Sequence, residues 1–281
     1  MPCPGDYAVQ PEQWSICNRP VHPLSPGRGA VATLTEVLAS IDLLHLVLLW
    51  AVVVLAAVLR SFTGFGFGLA AVPVFALMMA PTQAVVLSTC LTLTISLLTL
   101  RSYWGRFPPG QLLPMLAMSL AGTILGAALL TDISPGQFQL WIGLAVILAC
   151  AVLSLYRPHH HRPGVALSGM TGLASGVLNG AFAIPGPPVI IYAMATESEP
   201  ARSWSLLMTF FLFSAFLALL TYPAAGFVTP ASPWLFLLTF PAMYVGDLLG
   251  HRLFRRYGTA RYRQIAIGLL FGLGVAITVR A

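Results

Sequence analysis

The sequence predicts an all-α polytopic membrane protein built as two inverted repeats whose helices are broken by glycine and proline. Three observations carry this. First, 58% of the residues are hydrophobic and only 8% charged, where a soluble domain carries about a quarter. Second, apolar runs long enough to cross lipid recur along the chain, and about 20 residues suffice. Third, two of those runs are interrupted at corresponding places. The first interruption reads TGFGFGLAAVP from Thr63 to Pro73 and the second SGVLNGAFAIPGPP from Ser175 to Pro188. A lipid-crossing helix carries that much Gly and Pro only where the freed backbone groups find another use. Paired interruptions in two halves point to a transporter's binding site.

Residues 1–40 form a polar, Pro-rich tail without the basic start and short apolar core of a cleavable signal. The first repeat occupies residues 41–156. Ile41 to Leu59 spans the bilayer. Arg60 and the first break follow, then a short piece from Leu69 to Ala80. Pro81 to Gln83 reads as a turn, Ala84 to Leu100 as a span and Arg101 to Gly110 as a loop. Gln111 to Leu130 and Phe138 to Tyr156 are further spans. Residues 157–163 form a cytoplasmic linker with a His159 to His161 run that reads as solvent-exposed. The second repeat, 164–281, follows the same plan. Val165 to Asn179 enters the second break, and Val189 to Ala195 is short. Ser203 to Tyr222, Trp234 to Gly250 and Gln264 to Val279 span. The loop holding Arg252, Arg255, Arg256, Arg261 and Arg263 is the most basic.

The arginines choose between eight and ten membrane segments. If each break counts within one crossing, the Arg252 to Arg263 loop falls opposite the Arg101 and Arg157 loops. If each break separates two segments, Arg60 and the loops at Arg101, Arg157, Arg202 and Arg252 share one side. Basic loops belong in the cytoplasm, so ten segments with both termini outside are preferred. Five per half also makes the halves inverted. The short pieces at Leu69 to Ala80 and Val189 to Ala195 then read as half-helices meeting the breaks near the midplane.

The net charge is +6 and every basic side chain other than His is Arg, with no Lys. These arginines are scattered between apolar runs, which excludes a nucleic-acid surface. Cys90 and Cys150 fall within apolar runs as packing residues, and Cys3 and Cys17 lie in the tail, where a disulfide stays open. No HExxH, GxSxG or phosphate-loop motif is present, and Schiff-base chemistry lacks its lysine. The chain is therefore not expected to be an enzyme, and neither cofactor nor metal is implied.

A broken helix exposes N–H groups at the start of its second half, and its dipole there attracts anions. Gly64, Gly66 and Gly68, interleaved with Phe65 and Phe67, let backbone approach a solute. Asn179, Gly180, Pro185, Gly186 and Pro187 do the same in the second break, the prolines fixing the bend. Glycines at such places also serve close helix packing. Ser88 and Thr89 after the first break, and Thr209 in the equivalent place, can donate hydroxyls to an oxyanion or bond their own helix carbonyls. The Asn179 amide can serve a ligand or join helices. Arg60 and Asp247 are the charge and proton candidates. Asp247 reads best as the partner of Arg252, one turn away, and Arg60 either draws anions or sets topology.

These features resemble the TauE/SafE sulfite exporter family. The resemblance rests on Gly64, Gly66, Gly68 and Pro73, on Gly176, Gly180 and Pro185 to Pro188, and on the Ser88–Thr89 start of the next helix. Gly122, Gly126, Gly246 and Gly250 add to it. It covers most of Ile41 to Val279. The second break departs from the family's form, with Ala181 to Ile184 where glycines are common. The resemblance implies transport of sulfite or organosulfonates such as sulfoacetate, with other carboxylate or sulfur substrates left open, by a multi-pass protein of the inner (plasma) membrane; the broken, inverted plan suggests alternating access, one half rocking against the other. A passive anion channel and a non-transporting scaffold or enzyme subunit are the alternatives. The partners expected are a small anion and lipid, no nucleic acid, with a homodimer left open.

Overall fold

The structure is a computed structural model describing residues 43–63, 66–105, 109–155, 164–197, 199–257 and 260–280. The tail, the linker with its histidines, Cys3, Cys17, Gly64 and Phe65 lie outside the described residues. Among the described residues there are eleven helices. They are α1 (Leu43–Thr63), α2 (Gly68–Met78), α3 (Pro81–Leu98), α4 (Leu100–Tyr103), α5 (Pro109–Asp132) and α6 (Pro135–Leu155). After the linker come α7 (Val165–Phe182), α8 (Gly186–Thr196), α9 (Pro200–Thr221), α10 (Ser232–Tyr257) and α11 (Ala260–Arg280).

The expected all-α membrane architecture is present. Among the described residues six helices, α1, α3, α5, α7, α9 and α10, are long and apolar enough to cross a membrane. The helices after the two breaks, α2 and α8, are 11 residues each. At 1.5 Å per residue they reach about 16 Å, half of the ~30 Å hydrocarbon layer.

Prolines start helices more often than the sequence reading allows. Pro81 is the first residue of α3 rather than part of a turn, and Pro109, Pro135 and Pro200 open α5, α6 and α9. A proline at the first helical position loses nothing, because its missing N–H has no intrahelical acceptor there. The basic loop is also shorter than expected. α10 continues to Tyr257, so Arg252, Arg255 and Arg256 are helical. Arginine is a good helix former, and nothing in that stretch stops the helix.

The packing has an exchange pattern. α5 lies along α7, and α10 lies along α1. α3 meets α9, α6 meets α11, α5 touches α9, and α10 touches α3. Leaving aside the short α4, swapping the five helices of one half in order for those of the other turns α5–α7 into α1–α10 and α5–α9 into α3–α10, and returns α3–α9 and α6–α11 to themselves. The tightest seams join the two halves. A Cβ on Gly172, Gly176 or Gly180 of α7 would fall on the carbonyl oxygens of Met115, Ser119 and Thr123 of α5. One on Gly122 or Gly126 would fall on those of Leu173 and Val177. Lipid tails are as apolar as leucine, so the seam gains from close van der Waals approach rather than from excluding water. The second seam is looser. A Cβ on Gly246 of α10 would stand 2.8 Å from the Val54 carbonyl oxygen of α1, and Trp50 Nε1 donates to the Leu238 carbonyl at 3.0 Å.

Gly176→Ala is expected to lower the unfolding free energy in detergent by about 1–3 kcal/mol, the cost of overpacking, and with it the unfolding midpoint. Gly272→Ala on α11, where a Cβ meets nothing within 4 Å, is expected to be neutral or to gain up to about 1 kcal/mol of helix propensity. Equal midpoints for the two variants would refute the seam.

Candidate functional site

The two breaks meet. α7 ends at Ala183, whose backbone is left-handed with φ 52°. Its N–H donates to the Asn179 carbonyl at 2.8 Å, and the Ile184 N–H donates to that of Leu178 at 3.3 Å. The first of these is the 5→1 bond of an αL cap, made at a conformation that usually selects glycine. The Ala183 carbonyl then lies against Gly68, the first residue of α2, where any Cβ would collide with it. The partial negative end of α7 therefore faces the partial positive start of α2. Gly66, with φ 91°, makes the turn that aims α2 at this point.

The α2 start is rich in donors. Ala70 and Ala71 donate to the Phe67 carbonyl at 3.3 and 3.1 Å, so the helix-start donors are the N–H groups of Gly68 and Leu69, and no side chain caps α2. The α8 start is poor in them. Pro187 and Pro188 occupy its first turn, after Gly186 and the preceding Pro185, and a proline has no N–H. An anion site at the crossing thus belongs to α2.

Ser88 of α3 completes this end. Its side chain is 0% exposed and its Oγ has no hydrogen-bond partner. A Cβ on Gly68 would come within 3.3 Å of that oxygen, so the hydroxyl sits directly beside the start of α2. Burying an unpaired hydroxyl is costly, and here it is placed among donors that attract oxyanions.

The remaining predicted residues divide plainly. Thr89 donates to the Val85 carbonyl at 2.7 Å and Thr209 to that of Ser205 at 2.7 Å, both on their own helices. Gly180 is spent on the seam with α5. Asn179 joins helices, its Nδ2 donating to the Ser214 carbonyl of α9 at 3.0 Å, while its own backbone carbonyl accepts from Tyr222 at 2.9 Å. Phe67 is fully buried and its ring lies 6.5 Å from that of Phe75. Pro185 and Gly186 are buried and Pro187 is half-buried. Around the crossing, Phe211 of α9 lies over Gly66, and Phe67, Ile184 and Phe211 are all at most 1% exposed. The crossing is closed by these side chains.

Asp247 does not pair with Arg252 as the sequence spacing suggested. Its Oδ1 lies 3.8 Å from Nη1 of Arg60, which is on the other half of the chain. It also accepts from Ser61 Oγ at 3.3 Å and stands 3.6 Å from His251 Nδ1. Arg60 is not a loop residue setting topology but a buried member of α1, 4% exposed. Its Nη2 contacts the Met208 sulfur of α9 at 3.4 Å. His251 was readable four residues after Asp247, one turn along a helix. Met208, Phe211 and Ser61 carried no sequence signal, because only tertiary packing brings them here. Cys90 and Cys150 are free thiols, half-buried and buried.

A multi-pass helical membrane protein with two helix breaks meeting in its interior has the build of a membrane transporter. The chain belongs to the sulfite exporter TauE/SafE family, which matches it over residues 49–277. It is also similar to the probable sulfite/organosulfonate exporter TauE of Cupriavidus necator, with 26% identity over 155 residues. That stretch covers 55% of this chain and 58% of the relative, so the chain spans little more than half of that protein's length. No solved structure matches the chain.

Asn179→Ala removes the bridge to Ser214, and a lost buried hydrogen bond costs about 1–2 kcal/mol. The expected result is a lower unfolding midpoint with anion affinity changed less than threefold. A large loss of affinity at unchanged stability would return Asn179 to the ligand.

Proposed function

We propose that the protein carries small sulfur-containing oxyanions, sulfite or organosulfonates such as sulfoacetate, across the inner (plasma) membrane. Residues 41–156 and 164–281 act as two inverted repeats, and the site lies between them at the crossing of the breaks. The observation that carries the reading is the buried, unpartnered Ser88 hydroxyl beside the uncapped start of α2. Together they offer backbone N–H and O–H donors where an oxyanion needs them, with the Arg60 cation near. Family membership and the name of the relative support the sulfur chemistry.

The closed crossing favours alternating access over a standing pore. The Ala183 carbonyl lies against Gly68 at the start of α2, close to the place an anion would take, so the two helix ends are packed together when no solute is bound. Opening parts α2 from the end of α7 and lets an oxygen of the substrate reach the N–H groups at the start of α2. Phe67, Ile184 and Phe211 are buried around the crossing in this closed arrangement.

In liposomes the protein is expected to show saturable sulfite uptake and counterflow. Ser88→Ala removes a hydrogen bond to a charged ligand, about 1.5–3 kcal/mol, which is roughly a 10- to 150-fold loss of affinity. The same change deletes an unsatisfied hydroxyl, so the unfolding midpoint is expected to hold or rise. Unchanged affinity in this variant would refute the site.

A further inference from the structure

Arg60 is a buried cation short of acceptors. Its side chain is 4% exposed and its Nε meets no partner. Nη2 reaches the Met208 sulfur at 3.4 Å, and a thioether is a weak acceptor. Nη1 stands 3.8 Å from Asp247 Oδ1, beyond hydrogen-bond range. A guanidinium carries five donors in a planar fork that suits an oxyanion. Arg60 therefore has capacity for a second anion. The place for one is close by. Met208, which touches Arg60, and Phe211, which covers Gly66, are three residues apart on one face of α9, about 4.5 Å along the axis.

Asp247 is equipped to part from Arg60. Ser61 Oγ lies 3.3 Å away and His251 Nδ1 3.6 Å away. The carboxylate is 15% exposed and His251 52%, so the imidazole stands between Asp247 and the outside of the helix bundle. The charged and polar groups facing Asp247 are thus Arg60 and Ser61 of α1 and His251 of its own helix. α2 and α3, which pack beside this pair of helices, hold no charged residue. Tyr103 of α4 is the other ionisable group within electrostatic reach of Arg60, and its hydroxyl is bonded to the Ser96 carbonyl at 2.7 Å.

Resting on the carrier reading above, we infer that the transported anion takes the Arg60 guanidinium from Asp247, and that the released carboxylate binds a proton. The proton comes from water by way of His251 and converts the Asp247 carboxylate to its acid. When the anion leaves, Asp247 returns the proton to water and pairs with Arg60 again. One cation serves two anions in turn, so the solute and the proton bind together or not at all. Such coupling moves both in the same direction.

The full-length protein in vesicles holding a pH-sensitive dye tests this with sulfoacetate, which stays ionised near neutral pH and brings no proton of its own. Labelled sulfoacetate reports exchange, and the dye reports protons moved per anion during net uptake. The wild type is expected to acidify the lumen as sulfoacetate enters. Asp247→Asn is expected to lower the protons moved per anion at least tenfold, and Arg60→Gln to lose anion exchange itself. Asp247→Ser repeats the test should the Asn variant fold poorly. Uptake by the wild type without acidification overturns the inference and leaves the carrier standing, as does undiminished acidification in a folded Asp247 variant. Failure of the wild type to exchange either sulfite or sulfoacetate sinks the carrier reading and this inference with it.

Discussion

The glycine-faced contact between α5 and α7 governs how everything else in this protein is placed. Five glycines let two backbones approach until any added methyl would strike a carbonyl. Such a seam has no slack, because packed interiors are not continuously deformable. It also crosses the halves, since α5 precedes the linker and α7 follows it, and the looser α1–α10 seam crosses in the opposite sense. Rocking one half as a body against the other would have to open both. The packing instead suits a frame of α1, α5, α7 and α10, against which the short helices and their partners, α2 with α3 and α8 with α9, shift. The same frame fixes the end of α7, and so fixes the Ala183 carbonyl that meets α2.

That meeting point explains why the two breaks differ in composition. The first keeps its glycines and hence its N–H groups, and the second replaces them with Pro187 and Pro188 at the start of α8. A symmetric pair of donor-rich ends would offer two anion cradles within one interior. Proline removes one of them while holding the bend. The left-handed Ala183 has a related role. Alanine there costs about 1–2 kcal/mol relative to ordinary backbone, and the turn it makes delivers a carbonyl to an otherwise uncapped helix start. Unlike helix ends meet here, with no side-chain cap on α2.

Much of the architecture could be read from the chain. Each apolar run became a helix within a few residues, because lipid leaves the backbone no other way to satisfy its polar groups. Errors fell where proline and arginine have a second nature. Pro81 looks like a turn but begins α3, and the Arg252 to Arg256 stretch looks like a loop but extends α10. The glycines of the site were harder to interpret. Gly66 turns the chain, Gly68 admits a carbonyl, and Gly180 admits a neighbouring helix, yet all are one residue type within similar motifs. What approaches a glycine is a tertiary fact. The Arg60–Asp247 contact is another, since nearness to Arg252 in the chain says nothing about which helix lies across from Asp247.

Two buried ions offset the cost of leaving water only when they pair closely and fill their remaining hydrogen-bond sites. Arg60 and Asp247 do neither. Their nearest atoms are 3.8 Å apart, and Arg60 keeps an unpartnered Nε. An apolar pair of similar volume would serve stability better, and ionisable groups inside a membrane segment mark functional pathways by default. A loose pair is also the kind that separates at low cost. A tight bidentate fork would hold Asp247 against any incoming anion, whereas a stretched contact with Ser61 and His251 already beside the carboxylate leaves Arg60 free to change partners. The imperfection of the pair is therefore what makes an exchange of anions at Arg60 energetically accessible.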